Sequence, residues 1–367
     1  MKIGIDARPL SYPLTGIGFY LRSLLDALQV VDQDNKYVLV SNMGINYEIT
    51  NPNWSRSEGK RSEKLISTVW IQTIAPFLAK RLGLDLFWSP RHHLPLLLPR
   101  SVKTVVTIHD LVHIFFPETM LRQNLIIERM LMRSSIILAD VVVAVSCSTR
   151  NEILGTYSID PEKVRTVHSG IPAFPESRSV DLLAWLPKNP YFLFVGTLEP
   201  RKNLERILGA FELVHSAGYD PDLVITGSSG WKNEKLLKIA RISPLGNRIH
   251  FTGYVTRERL AQLYRNALGL LFPSLYEGFG FPILEAMHFG TPVITSNCSS
   301  MPEIAGDAGI LVNPRNTSEI AQAMESLISD KALAEKLSHS GRTRVDQFSW
   351  SKAAKEMCGI FQEAMDG

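Results

Sequence analysis

The chain has 367 residues, 45% of them hydrophobic and 20% charged, with a formal net charge of +3. That length exceeds one ordinary core and fits two domains of roughly 180 residues each, while the composition, free of low-complexity tracts, excludes extended disorder. No apolar run approaches the roughly 20 residues needed to span a bilayer, and the opening residues read as a short strand rather than a secretory signal, which places the protein in the cytoplasm.

In chain order, the first strand covers Ile3–Asp6, and Gly16-Ile17-Gly18 opens a helix behind it as an abbreviated phosphate loop. Leu21 stands where a third glycine would complete the dinucleotide fingerprint, so a nicotinamide cofactor is not favoured; a tight turn is the alternative role for the two glycines. After a strand at Tyr37–Ser41, residues 62–82 place Leu65, Ile66, Val69, Trp70, Ile74, Phe77 and Leu78 at helical spacing, flanked by Arg61, Lys64, Lys80 and Arg81. A helix lying on an anionic membrane has this pattern, and so has a core-facing helix; Pro76 argues against one continuous helix. Nine basic residues against three acids lie between Arg56 and Lys103, so this half of the chain is the one suited to an anionic surface partner.

Further strands follow at Asp85–Ser89, Thr104–His109, Val141–Ser146 and Val164–His168. His109-Asp110 ends a strand, with His113 three residues on; this places an imidazole or carboxylate beside a reacting group, or else a capping Asp with a core histidine. His92-His93 lack partners at metal-ligand spacing and read as loop residues, Ser146 as a helix cap, and Arg150 as either. Cys147, Cys298 and Cys358 are too few and too scattered for a disulfide framework or a zinc site. Residues 171–190, with prolines at 172, 175, 187 and 190, have the composition of a linker.

The rhythm restarts with strands at Tyr191–Val195, Leu223–Thr226, Ile249–Gly253, Gly269–Pro273, Val293–Ser296 and Gly309–Asn313. Near-continuous apolar strands alternating with helices imply two parallel sheets of the α/β class, each covered on both faces, hence two Rossmann-like domains. Ligands of such sheets bind at the carboxyl ends of the strands, where the candidate residues fall. Gly196 to Asn203 sets Arg201 and Lys202 just past a strand, suited to a diphosphate or simply solvated. Glu277 and Glu285 flank a glycine-rich bend with Pro282 in the first turn of a helix, and N–H groups from about Gly280 to Leu284 would point into that bend as an anion site. A helix entry with two solvated acids is the alternative.

With Ser274-Leu-Tyr-Glu-Gly-Phe-Gly-Phe-Pro-Ile-Leu-Glu-Ala-Met287 and Gly196-Thr-Leu-Glu-Pro-Arg-Lys-Asn203, joined by Val145-Ser146, Arg150 and the Thr15–Gly18 loop, the chain resembles a family 4 glycosyltransferase of the GT-B type, the group that includes bacterial mannosyltransferases of cell-surface polysaccharide assembly. The resemblance spans essentially the whole chain. It implies two Rossmann-like domains facing across a cleft: residues 1–172 for the acceptor, 190–350 for the nucleotide sugar, and a terminal helix at about 351–367 crossing back to the first. It implies further that Arg201 and Lys202 neutralise the donor diphosphate, that the Phe279–Phe281 backbone touches the donor at Gly280, with Gly196 nearby, and that Glu285 accepts from the ribose hydroxyls. Glu277 would sit against the transferred sugar, and His109 would approach it from the first domain. The reaction so implied retains configuration and needs no metal.

By overall similarity the donor is GDP-mannose, with UDP-glucose or UDP-N-acetylglucosamine next. The acceptor is a glycan or polyprenyl-linked sugar of lipopolysaccharide or O-antigen type, reached at the inner face of the plasma membrane by the basic first half; no nucleic acid is involved. A sugar-nucleotide epimerase of the same architecture and a noncatalytic nucleotide-sugar sensor are the competing readings.

Overall fold

The computed structural model describes residues 1–12, 14, 16–59, 67–175, 186–228, 230 and 243–367. Thr15 of the early glycine loop, Arg61, Lys64, Leu65 and Ile66 of the basic apolar stretch, and 176–185 of the expected linker lie outside the described residues. The chain forms two compact units: Met1–Pro172 with Phe348–Gly367, and Ala173–Gln347.

The first unit is a seven-stranded sheet in the order β3-β2-β1-β4-β5-β6-β7, parallel throughout. Its strands are β1 Lys2–Asp6, β2 Lys36–Ser41, β3 Trp54–Glu58, β4 Leu86–Ser89, β5 Lys103–Ile108, β6 Val141–Ala144 and β7 Val164–Thr166. β4 and β6 are buried at every position, as apolar strands covered on both faces must be. β3 is the strand absent from the sequence reading. Its Trp-Ser-Arg-Ser-Glu carries one apolar residue, Trp54, stacked on Tyr37 with ring centres 4.4 Å apart, and the rest is the polar face of an edge strand.

The helix Ser67–Leu82 runs through Pro76 without interruption, against the sequence expectation. Proline removes one backbone bond, but Trp70, Ile71, Ala75 and Pro76 itself are buried, and that apolar burial holds the helix together. The last helix, Trp350–Asp366, is capped by Ser349 Oγ accepting from Lys352 N at 3.1 Å, and packs Ala353, Met357, Ile360 and Ala364 at helical spacing into the first unit beside helix Gly16–Val31. Gly170 makes this docking possible: a Cβ there would stand 2.4 Å from Trp350 N.

The second unit is a six-stranded parallel sheet, β10-β9-β8-β11-β12-β13. Here β8 is Tyr191–Val195, β9 Asp222–Thr226, β10 Ile249–Gly253, β11 Gly269–Phe272, β12 Val293–Ser296 and β13 Gly309–Val312. Its core is built on Phe192, Phe194, Phe211, Leu271 and Ile294 between the sheet and helices Leu204–Ser216 and Thr317–Ser329. In both sheets the strand order reverses at one place, between β1 and β4 in the first and between β8 and β11 in the second, and the crevice at such a reversal is where α/β sheets bind ligands.

Candidate functional site

Chain leaving β8 reaches Arg201 and Lys202 through a short turn, Pro200–Lys202. Asn203 ends it in the left-handed conformation (φ 64°), which asparagine tolerates better than most residues, and starts helix Leu204–Ser216. The Asn203 amide donates to Pro273 O at 2.8 Å and Pro314 O at 2.7 Å, and Leu275 N donates to Arg201 O at 2.9 Å. These bonds tie the β8 loop to the ends of β11 and β13. Beneath it Gly196 and Gly227 pass so closely that a Cβ on Gly227 would lie 1.9 Å from Gly196 O.

On the β11 side, Glu277 precedes the helix Phe281–His288, whose first residue follows Gly280 at φ 115° with Pro282 in the first turn. Glu277 is outside the helix and nearly buried. Its Oε2 accepts from Arg201 Nη1 and its Oε1 from Lys202 Nζ, both at 2.7 Å; Arg201 Nη2 also reaches Glu199 Oε1 at 2.6 Å. Burial opposes the charge on Glu277, but the two adjacent cations outweigh it and hold its carboxyl down at about 2. Lys202 is lowered by its own burial, with Glu277 working the other way. Two acids and two bases therefore sit in one nearly dry, charge-balanced cluster at the β8/β11 reversal.

Two of the five backbone groups expected to point into the bend do not serve. Pro282 has no N–H, and Ile283 N donates to Gly280 O at 3.0 Å, closing the first helical turn. The bend is instead fixed from outside: Ser300 Oγ donates to Glu277 O at 2.9 Å and Phe279 O at 2.7 Å, and Ser299, at φ 58°, exchanges bonds with the Glu277 backbone. Glu285 belongs to a different cluster. Its Oε1 accepts from Arg257 Nη1 at 2.7 Å and its Oε2 from the Tyr264 hydroxyl at 2.8 Å, while the Arg257 guanidinium lies 3.6 Å from the Phe174 ring centre.

In the first unit, Gly18 packs tightly: a Cβ would meet Leu14 Cδ2 at 3.0 Å. Gly16 stands exposed at the helix start with open space around it. His109, just past β5, meets Pro90 O through Nε2 at 2.8 Å and lies edge-on to Tyr20, ring centres 4.7 Å apart. Burial first, and then the charge of His92, brings His109 down to about 4, so it is neutral at ordinary pH. The other readings there resolve as scaffold. Asp110 Oδ1 accepts from Val112 N, His113 is buried against the Tyr157 hydroxyl at 3.2 Å, Ser146 caps its helix by accepting from Thr149 N at 3.0 Å, and Arg150 Nε donates to Val164 O at 3.0 Å. None of the three cysteines forms a disulfide. A cavity of about 930 Å³ opens where β1, β2 and β3 end, lined by Ser11, Tyr12, Arg22, Asn46 and Glu58 among others.

Two family models match the chain: glycosyl transferases group 1 over residues 182–344 and glycosyltransferase family 4 over residues 54–173. The chain is a group 1, family 4 glycosyltransferase. O-antigen chain mannosyltransferase B of Escherichia coli is 29% identical over 99% of this chain and 100% of that one. O-antigen chain mannosyltransferase RfbU of Salmonella typhimurium is 26% identical, over 85% and 87%. Among solved structures, sucrose-phosphate synthase from Thermosynechococcus elongatus superposes with a TM-score of 0.79 at 21% identity, covering 99% of this chain and 98% of that one, a likeness of fold. The architecture is GT-B.

For this glycosyltransferase, sequence reasoning named Arg201, Lys202, Glu277 and Glu285 but missed the residues that hold them: Glu199, Asn203, Arg257, Tyr264, Ser299 and Ser300. A signal existed for some. Ser299-Ser300 follow a strand end, and Glu199 lies within the same motif as Arg201, whereas Arg257 and Tyr264 lie on a helix with no local mark of their role.

Proposed function

We propose that this glycosyltransferase moves a mannosyl residue from GDP-mannose to a glycan or polyprenyl-linked acceptor at the cytoplasmic face of a membrane, with retention of configuration and without a metal ion. The observation that carries this reading is the Arg201–Lys202–Glu277 cluster at the β8/β11 reversal. The two mannosyltransferase relatives support mannose as the sugar.

As the glycosidic bond breaks, negative charge collects on the departing diphosphate. Arg201 and Lys202 are placed to take it, Arg as a positive charge whose fork is held in position by Tyr276 O, Glu277 and Glu199, and Lys through the N–H groups it does not give to Glu277. Held in its ionised form, Glu277 has no proton to give. Its part is that of an anion that orients the cations and faces the positive charge developing on the sugar. The Glu285 carboxylate uses one acceptor position per oxygen on Arg257 and Tyr264, and each oxygen keeps another for a ribose hydroxyl. Phe279 to Phe281 supply the backbone edge beside the donor, Gly196 keeps the β8 loop close, and His109 offers Nδ1 as an acceptor to a sugar hydroxyl. Gly16 and Gly18 shape the start of the first helix, and the polar lining of the cavity beyond β1–β3, with Tyr12 as an aromatic face, suits the hydroxyl-rich acceptor.

Membrane contact is part of the same reading, and helix Arg122–Leu138 is its better seat. Arg122, Arg129 and Arg133 share one exposed face with Ile126, Met130 and Ile137, and the helix's one acid, Glu128, is turned inward. Helix Ser67–Leu82 sends Trp70, Ile71 and Ala75 into the core and exposes Val69 and Phe77. Among the described residues no helix is long and apolar enough to cross a membrane.

A thermal-shift series with GDP-, UDP-, ADP- and dTDP-linked sugars, followed by a product assay, tests the donor. Stabilisation by GDP-mannose with sugar appearing on an acceptor is expected. Stabilisation by a UDP-sugar alone overturns the donor, and conversion of the donor without any acceptor makes the enzyme an epimerase.

A further inference from the structure

Helix Arg122–Leu138 gives Glu128 to two histidines at once: Oε2 lies 3.2 Å from His92 Nδ1 and 3.0 Å from His93 Nε2. His92 Nε2 is buried and, among the described residues, has no partner. The loop after β4 that carries both histidines also carries Pro90, whose carbonyl meets His109 Nε2. A carbonyl oxygen only accepts, so this contact places the hydrogen of a neutral His109 on Nε2 and leaves Nδ1 with a lone pair. The ring centres of His92 and His109 are 5.7 Å apart.

We propose that Glu128 and His92 are positioning residues for His109: the Glu128 carboxylate keeps a proton on His92, and that imidazolium keeps His109 neutral, with its hydrogen on Nε2 and an acceptor lone pair on Nδ1. The use made of that lone pair rests on the reading of His109 as a contact of the transferred sugar; the arrangement itself does not.

The groups around His109 bear this out from each side. From the loop after β4 come His92 and the half-buried Arg91, both of which disfavour a second cation. From helix Gly16–Val31 comes Tyr20, uncharged, against the ring edge. Asp110, the next residue along the chain, works in the opposite direction, favouring a proton, but burial and the His92 charge outweigh it. Burial works against a charge on His92 too, yet Glu128 outweighs it and raises His92 above its ordinary value, while His93 is lowered by burial despite sharing the same carboxylate oxygen. One proton is thus sorted among three imidazoles by one half-buried acid. A plain structural role for Glu128, satisfying two buried rings, would leave His109 indifferent to its loss.

Ring-nitrogen NMR on full-length protein carrying isotope-labelled histidine tests each link, with His109→Asn identifying the His109 signals. In the parent protein His109 is expected to stay in the neutral Nε2–H form from about pH 5 to 8. His92→Asn, which can still hydrogen-bond Glu128, is expected to raise the His109 midpoint by about one pH unit or more. Glu128→Gln is expected to bring the His92 midpoint below the ordinary histidine value. An unmoved His109 midpoint in His92→Asn, or an unmoved His92 midpoint in Glu128→Gln, overturns the proposal; if Glu128→Gln does not fold, His92→Asn alone decides. If the His109 midpoint moves and the acid limb of kcat moves with it, both readings hold. If the midpoint moves and the limb stays, the positioning role stands and the sugar-contact role of His109 falls.

Discussion

Glu277 and Glu285 stand on either side of the Gly280 bend, both nearly buried, both with two protein donors on the carboxylate, and they are held in different ways. Glu277 lies between two cations, Arg201 and Lys202, carried on a short turn at a strand end. Glu285 lies between one cation and a phenol fixed from behind: Tyr264 is wholly buried and Arg257 is stacked on Phe174. In the proposed reading, a diphosphate entering the first cluster shares its two cations with Glu277, an ionic contact that can be redistributed. The second is a rigid bracket with spare acceptor positions. On the proposed reading a nucleotide sugar uses both, an exchangeable charge for the part that changes during reaction and a fixed one for the part that does not.

The largest expected effect falls on the exchangeable side. Arg201→Ala or Lys202→Ala should lower kcat by about 100-fold or more, the scale of losing one donor to a developing anion, with smaller changes in donor affinity. Steady-state kinetics with saturating donor decides it, and unchanged turnover in both variants would end the assignment. Next comes Glu277→Gln. Because the Glu277 pKa is depressed in the folded state, to about 2 from an ordinary 4.5, its contribution is fully present above the ordinary value and is lost as pH falls from there towards 2. At neutral pH that contribution is about 3 kcal/mol. Denaturant titrations at several pH values should therefore show the parent losing stability below about pH 4.5 more steeply than the variant. Parallel curves would mean that the two cations do not need their acid.

The difference between the clusters also marks what the sequence discloses. Twelve strands and the alternation that makes two parallel sheets were legible because buried strands are continuously apolar, and β3 was not because an edge strand with one tryptophan carries no such pattern. Arg201, Lys202 and Glu277 were legible because a motif and a strand end point at them. Arg257 and Tyr264 were not, since a side chain that supports Glu285 from another helix has no local signature, and Glu128 meets His92 and His93 only through the fold. Pro76 misled for a related reason: propensity is local, whereas the burial that overrides it is tertiary.

On the rigid side the effects are smaller and fall on binding. Glu285→Ala removes the acceptor and leaves Arg257 without its carboxylate, so affinity for the free nucleotide should drop by about 10-fold or more, measured by calorimetry; equal affinity in variant and parent would remove Glu285 from the ribose. Tyr264→Phe is the finest test. The phenol hydroxyl, pushed far above its ordinary pKa by burial and then by Glu285, stays protonated and acts only as a donor to Oε2. Its loss deletes one hydrogen bond and no packing, a change of about 1 kcal/mol, and frees an oxygen that Arg257 still holds in place through Oε1. Nucleotide affinity should then weaken by a few-fold with kcat unchanged, since the ribose does not alter its charge during the reaction. A fall in kcat as large as that of the Lys202 variant would mean that the bracket is not fixed at all, and that the two clusters respond to the transition state as one.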